Sequence, residues 1–221
     1  MNNSESIVAR LPYWDRLTDE EKALVADNYM IRHFEKGEMI FRGGYECLGQ
    51  IYVVRGEVRT CLLSDEGREI TLYMMRDGDS CVLSASCVLS QITFETHMIA
   101  KQPTDILVIN LGIYRRIVEQ NIYVKCYMYE LATERFSQVM WTMQQILFMG
   151  FDRRLASFLI SEYERTGSKY IMMTHDQIAE QVNSAREVVA RMMKRFISDG
   201  LVESGRGSIR LLDLEGLKAL L

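Results

Sequence analysis

The chain has 221 residues, 48% of them hydrophobic, which is enough to bury a core in one large domain or, the better fit, two modest ones. Only two prolines, no signal-peptide pattern after Met1 and no uninterrupted apolar run near eighteen residues argue against secretion and membrane spanning, so the chain reads as cytoplasmic. A formal net charge of −4 speaks weakly against a nucleic-acid partner, yet the charge is uneven: residues 184–210 hold six basic side chains against three acidic ones.

Five cysteines, at 47, 61, 81, 87 and 126, are odd in number and lack the paired CxxC spacing of a zinc ribbon or a thioredoxin-like site. They read as reduced thiols, and no metal site is expected.

Between residues 31 and 110, short β-rich runs are punctuated by glycine. Strands are expected at 31–34, 38–41, 50–54, 58–63, 69–74, 80–83, 94–100 and 105–109, with turns at Lys36-Gly37, Gly43-Gly44, Arg55-Gly56, Asp65-Glu66-Gly67 and Asp77-Gly78. Strands about ten residues apart with turn chemistry between them mark a sandwich or barrel and not βαβ units. The expected fold class is therefore α+β, with an N-terminal double-sheet β-roll (jelly roll) over residues 1–112.

From about Ile113 to Gly150 the chain becomes rich in Met, Gln, Glu, Tyr and Leu and contains no proline, predicting one long helix with an interruption near Asn121. Apolar residues at 124, 128 and 131, then at 136, 139/140, 143 and 146/147, keep a three-four spacing. Such a stripe suits a coiled-coil-like partner and makes residues 113–150 a dimerisation helix; the alternative is that it packs on its own roll. Gly150-Phe151-Asp152 reads as a hinge, after which residues 151–221 form a second domain.

Thr174-His175-Asp176-Gln177 is a capping box that starts a short helix burying Ile178, Ala179 and Val182 and ending at Asn183, a residue tolerant of left-handed backbone. Ser184-Ala185-Arg186-Glu187 reads as a second capping box, opening a helix that runs to about Ser198 and is closed by Gly200. Two capped helices across a tight turn are a helix-turn-helix. At 100° per residue the second helix sorts into an apolar side, with Val188, Val189, Met192, Met193, Phe196 and Ile197, and a polar side with Glu187, Arg191, Lys194 and Ser198; Arg186 sits at the border. A recognition helix needs this division, because its N-terminal side chains meet base edges while the opposite side packs into the domain. Arginine can bond guanine O6 and N7 together, and glutamate can accept from the cytosine amino group, so Arg186, Glu187 and Arg191 are the candidate base contacts. Strands at 201–204 and 208–211 around Gly205-Arg206-Gly207 make a wing. Thr174, Ser184, Lys194 and Arg206 are candidate backbone contacts, which add affinity without sequence information.

In this order of roll, long helix and winged helix, and above all in the run from Gln177 to Arg191, the chain resembles the cyclic AMP receptor protein/FNR family of bacterial regulators over nearly its whole length. The family usually has glycine where this chain has Asn183. Arg186, Glu187 and Arg191 match the Arg-Glu-x-x-x-Arg triplet of the cyclic AMP receptor branch, whereas Ala190 departs from the serine of the FNR branch. The resemblance implies a homodimer that reads TGTGA-like palindromic half-sites in double-stranded DNA, with RNA polymerase as a further partner.

The resemblance also implies an effector inside the roll, against the long helix. The cyclic-nucleotide pattern does not survive, however: after Gly78-Asp79 the chain reads Ser80-Cys81-Val82-Leu83-Ser84-Ala85-Ser86-Cys87, then Thr93-Phe94-Glu95-Thr96, without the family's Gly-Glu and Arg-Ser or Arg-Thr pairs. A phosphate would lack its charged partner in a desolvated pocket. The helix hydroxyl pair that meets adenine in cyclic AMP binders is replaced by Val139-Met140. Cyclic AMP binding is therefore not expected, and the candidate pocket residues for an unidentified small-molecule or redox effector are Ser80, Cys81, Ser84, Ser86, Cys87, Val139 and Met140. No cysteine precedes Cys47, which argues against an FNR-type iron–sulfur cluster; haem with His33 or His97 as an axial ligand is possible in principle, but a lone histidine among apolar neighbours is more often a satisfied core residue. Two other readings stay open: a thiol-based redox sensor or thiol enzyme using Cys81 or Cys87, and a ligand-binding module without DNA readout. The thiol enzyme has no orienting partner, nucleophile motif or phosphate loop behind it, and no enzyme activity is expected; in the binding module the winged helix would mediate protein contacts.

Overall fold

A computed structural model describes residues 7–43, 48–81, 96–205 and 207–221. The chain divides into two compact units, Met1–Met140 and Trp141–Leu221, taken in turn below.

In the first unit, helix α1 (Asp19–Asp27) opens on a capping box made by Thr18 and Glu21. Among the described residues eight strands follow: β1 (Tyr29–Phe34), β2 (Met39–Arg42), β3 (Gln50–Arg55), β4 (Glu57–Leu63), β5 (Glu69–Arg76), β6 (Ser80–Cys81), β7 (His97–Ala100) and β8 (Thr104–Ile109). They form two antiparallel sheets, β1-β8-β3-β6 and β2-β7-β4-β5, which is the expected roll. In the first sheet the central strands β8 and β3 are buried on both sides, whereas the edge strand β1 is largely exposed. Ile51, Val53, Ile106 and Val108 join Val58, Leu72, Met75 and Met98 in one cluster, while the alternate residues Tyr52, Leu107 and Ile109 join Tyr114, Ile117, Val124 and Met128 of the helices in another. Period-two alternation with both sides covered explains the unbroken apolar run at 106–109.

The β3–β4 turn depends on Gly56, at φ +114°. A Cβ there would lie 2.4 Å from Thr104 Oγ1 and 2.7 Å from Thr104 Cα. Its amide donates to Asp77 Oδ1 at 2.6 Å, tying this turn to the one after β5.

Helix α2 (Leu111–Gln120) is capped by Asn110 and ends where the sequence places a break, at Asn121. The Asn121 side-chain oxygen accepts from the amides of Tyr123 and Val124, and its nitrogen donates to Arg16 O and Glu21 Oε2, so one residue caps the next helix and pins it to the N-terminal segment. That next helix, α3 (Ile122–Phe148), changes its role along its length. Val124, Met128 and Leu131 are buried in the cluster with α2 and the roll, so this first part of the predicted partner seam packs on its own roll. Phe136, Met140, Met143 and Leu147, at spacings of four, three and four, are 64%, 46%, 46% and 65% exposed. Val139 is half-buried against the roll cluster and does not belong to that stripe.

In the second unit, α4 (Phe151–Thr166) ends at Gly167 in left-handed conformation and leads through β9 (Tyr170–Ile171) to α5 (His175–Gln181), α6 (Arg186–Ser198), the hairpin β10 (Val202–Gly205) and β11 (Ser208–Leu211), and α7 (Leu214–Lys218). The three strands pair in the order β10-β11-β9. The core gathers Leu155 and Leu159 of α4, Ile178 of α5, Val189, Met193 and Phe196 of α6, and Val202, Ile209 and Leu211 of the hairpin. Among the described residues no helix is long and apolar enough to cross a membrane, and no group of three or more His, Cys, Asp or Glu could hold a metal ion.

Replacing Gly56 with alanine puts a side chain into backbone at a dihedral that L-residues avoid. Gly56→Ala is expected to destabilise the roll by about 2–3 kcal/mol in a denaturant titration of the full-length chain followed by hydrogen exchange, with protection of amides in residues 151–221 unchanged.

Candidate nucleic-acid interface

The two helices of the second unit are joined by a turn whose shape comes from one residue. Asn183 has φ +51°, the left-handed conformation that its sequence position predicts and that glycine would adopt without cost. α5 starts on the expected capping box: the Thr174 hydroxyl accepts from the Gln177 amide at 3.3 Å and Gln177 Oε1 accepts from the Thr174 amide at 2.8 Å. The second capping box is not made. α6 begins at Arg186, its N-cap is Ala185, and no side chain caps it, because the Ser184 amide is drawn back to the Ala179 carbonyl at 2.9 Å by the left-handed turn before it. Ser184 is half-buried as a result, which makes it a turn residue and not a cap. At the far end Gly200, at φ +72°, closes the helix as expected.

α6 is two-sided. Val189, Met193 and Phe196 are 0–1% exposed, whereas Arg186, Glu187, Arg191 and Lys194 all face solvent. Ile197, expected on the apolar side, is 42% exposed, since only every third or fourth residue reaches the core of so small a unit. Arg191 enters no ion pair among the described residues. Arg186 meets Asp176 of α5, Nε to Oδ2 at 3.6 Å, with both side chains about two-thirds exposed, so it is restrained at the surface and not locked inside. The sequence reading did not single out Asp176; ten positions from Arg186, it had no local signal beyond being an acid in a helix's first turn.

Thr174, His175, Asp176 and Arg186 line a cleft of about 230 Å3 together with Ser204, Gly205 and Ser208 of the hairpin. The starts of both helices and the wing thus converge on one concave, polar place. Arg206, the expected wing-tip cation, lies outside the described residues. Behind α6, Arg154 of α4 donates to the Val182 carbonyl at 3.3 Å and stacks over Phe151, with desolvation lowering its pKa from the ordinary arginine value. It fastens the turn between the helices to α4.

Of the candidate effector pocket, Ser84, Ser86 and Cys87 lie outside the described residues. Ser80 and Cys81 are buried, with Tyr73 Oη 3.9 Å from Cys81 Sγ; Val139 is half-buried beside them in the same roll cluster, while Met140 faces solvent on the stripe of α3. What the sequence reading missed is Arg135. It is 4% exposed, occupies the next inward position of α3 after Leu131, donates to Ser80 O at 3.2 Å and to Gln138 Oε1 at 2.9 Å, and places its guanidinium 4.8 Å from the centre of the Tyr73 ring. Its Nε is buried and unpartnered, and the nearest carboxylates, Glu134 and Asp79, are 3.9 and 4.0 Å away. The pocket region therefore holds a buried cation supplied by the long helix. His33, by contrast, has its two ring nitrogens against Asp105 and Glu35, whose hydrogen bonds raise its pKa above the usual histidine value.

Two family patterns match the chain. Residues 31–121 fit the cyclic nucleotide-binding domain, and residues 153–220 fit the Crp-like helix-turn-helix domain. A crystal structure of a protein assigned to the Crp/Fnr family of transcriptional regulators, from Eubacterium rectale ATCC 33656, is 42% identical, with a TM-score of 0.85 over 96% of this chain and 98% of that one. The chain belongs to the CRP/FNR family of DNA-binding transcriptional regulators. Transcriptional activator protein FnrA from Stutzerimonas stutzeri is 26% identical over 201 residues, 86% of this chain and 79% of FnrA. Transcriptional regulator SdrP from Thermus thermophilus is 41% identical over 58 residues, which is 26% of this chain and only 29% of SdrP.

For the regulator, the Thr174 cap is a stability element of the interface. Thr174→Ala should lower the stability of the second unit by about 1 kcal/mol in thermal melts and weaken DNA binding with it, while Ser184→Ala should leave stability within about 0.5 kcal/mol of the parent.

Proposed function

We propose that the regulator acts as a cytoplasmic homodimer that reads TGTGA-like palindromic half-sites through Arg186, Glu187 and Arg191, and that an effector other than cyclic AMP controls it. The observation that carries this reading is the two-sidedness of α6: two arginines and a glutamate stand exposed in its first two turns, while Val189, Met193 and Phe196 anchor the same helix in the core. Exposed Thr174 and Lys194 are the proposed phosphate contacts, and Arg206 is carried over from the sequence alone as a third. RNA polymerase is the partner expected of a regulator bound at a promoter.

The dimer reading rests on Phe136, Met140, Met143 and Leu147, a solvent-facing apolar row with heptad spacing on a 27-residue helix. Rows of this kind on soluble proteins mark an interaction surface. A parallel pair of such helices would set two recognition helices about 34 Å apart, one turn of the duplex. Control would be a population shift, in which the effector binds the DNA-competent state more tightly than the other. A catalytic role for Cys81 gains no support, because a fully buried thiol packed beside a phenol is out of a substrate's reach.

Band shifts on a palindromic TGTGA duplex and on random duplex test the base contacts. Arg186→Ala and Arg191→Ala should each lose about 1–3 kcal/mol on the palindrome and much less on random DNA; equal losses on both would remove base readout. Met143→Glu should convert dimer to monomer in sedimentation velocity, and an unchanged dimer would place the interface elsewhere. Cyclic AMP should leave both the melting temperature and the DNA affinity where they are.

A further inference from the structure

Arg186 and Asp176 sit in the first turns of two successive helices, and the left-handed Asn183 turn brings those turns to the same cleft. In water an exposed pair of this kind contributes little. Its geometry matters more than its strength. The Asp176 carboxylate makes its closest approach to Nε of Arg186, the inner nitrogen of the guanidinium, at 3.6 Å, and among the described residues no hydrogen bond engages the outer Nη1/Nη2 edge. That outer edge carries two parallel N–H groups, the fork that fits O6 and N7 of guanine. An arginine without such a restraint can swing to a phosphate, where it gains affinity but reads nothing.

We propose that Asp176 is a positioning residue for base readout: its carboxylate holds Arg186 from behind, so that the guanidinium is presented end-on to guanine and not to the DNA backbone. The inference rests on the base-contact role proposed above for Arg186. A carboxylate beside polyanionic DNA costs general affinity, because it opposes the phosphate field. Asp176 therefore trades affinity for discrimination. The pair also strengthens when docking excludes water, since the attraction between the two charges rises as the local dielectric falls. The restraint is thus greatest when the helix start is seated in the groove.

This trade separates positioning from a merely structural role. A lost structural contact would weaken binding to every sequence alike, whereas a lost positioning carboxylate should raise affinity for random DNA and lower selectivity at one base pair. The experiment enriches a pool of randomised duplexes on the full-length wild type and on the Arg186→Ala, Asp176→Asn and doubly substituted chains, followed by binding titrations on the enriched site and on its single-base variants. Wild type should enrich a palindrome, and Arg186→Ala should lose one guanine from each half-site. Asp176→Asn should bind random duplex about threefold more tightly, while its preference for that guanine over the other bases falls by about three- to fivefold. In the Arg186→Ala background, Asp176→Asn should leave the residual preferences unchanged. Equal melting temperatures for wild type and Asp176→Asn are expected, and they keep a folding defect out of the comparison. An unaltered preference for the guanine in Asp176→Asn would overturn the positioning role while leaving Arg186 as a reader. A wild type that enriches no motif would instead overturn base readout itself, and the positioning role with it.

Discussion

The regulator's second unit depends on how one helix divides its surface. Val189, Met193 and Phe196 are held in a core built from α4, α5 and the hairpin, and that burial is what turns Arg186, Glu187 and Arg191 outward. Each of these apolar side chains contributes on the order of 2 kcal/mol when taken out of water, so rotating the helix to hide its charges would forfeit several times the worth of any surface ion pair. The fixed points around α6 follow from this. Asn183 sets the angle between the helices, Arg154 ties that turn to α4, and Gly200 stops the helix so that the hairpin can return over its buried side.

The first unit solves a different problem with the same long helix. Over Val124–Leu131 the buried residues of α3 help to cover β3 and β8, which would otherwise expose Tyr52, Leu107 and Ile109. From Phe136 onward the apolar row faces solvent. Arg135 stands at this change of role, tied to the Ser80 carbonyl at the end of the roll and placed over Tyr73. An arginine that is almost wholly buried, with one nitrogen unpartnered and its carboxylates at the limit of ion-pairing distance, is poorly compensated. A second buried arginine of the roll, Arg59, shows the usual solution: it donates to Thr71 Oγ1 and pairs directly with Glu69. The contrast leaves Arg135 less well satisfied than Arg59, beside Ser80 of the candidate effector pocket.

Much of this was legible in the sequence because it is local. Capping by Thr174 and Gln177, the left-handed backbone at Asn183, the stop at Gly200 and the strand-and-turn rhythm of the roll each depend on residues within four positions of one another. What escaped depends on distant partners. Ser184 looks like a cap, but the left-handed residue before it commits its amide to Ala179 and shifts the helix start to Arg186. A spacing of three and four cannot say which neighbour an apolar row will meet, so Val124–Leu131 and Phe136–Leu147 read as one seam although only the second part is exposed. Arg135 in that spacing reads as a surface residue, and only the fold places Ser80 beneath it. Asp176 and Arg186 meet across a turn that neither residue specifies.

The acidic character of the whole chain takes on meaning against these local arrangements. With a net charge of −4, the regulator cannot hold DNA by its overall field and must rely on a small cationic face. A face of that size gives little non-specific affinity, so each cation spent on a phosphate instead of a base would erode the ratio between target and genome. A carboxylate behind Arg186 is consistent with this economy, since it lowers general binding further and reserves the guanidinium fork for a base edge. Weak general affinity would favour the proposed simultaneous use of two half-sites, because a lone recognition helix holds a duplex loosely. Under the proposed homodimer, the exposed row on α3 and the charged side of α6 would serve one end, since a protein with few cationic contacts gains most from reading two half-sites together.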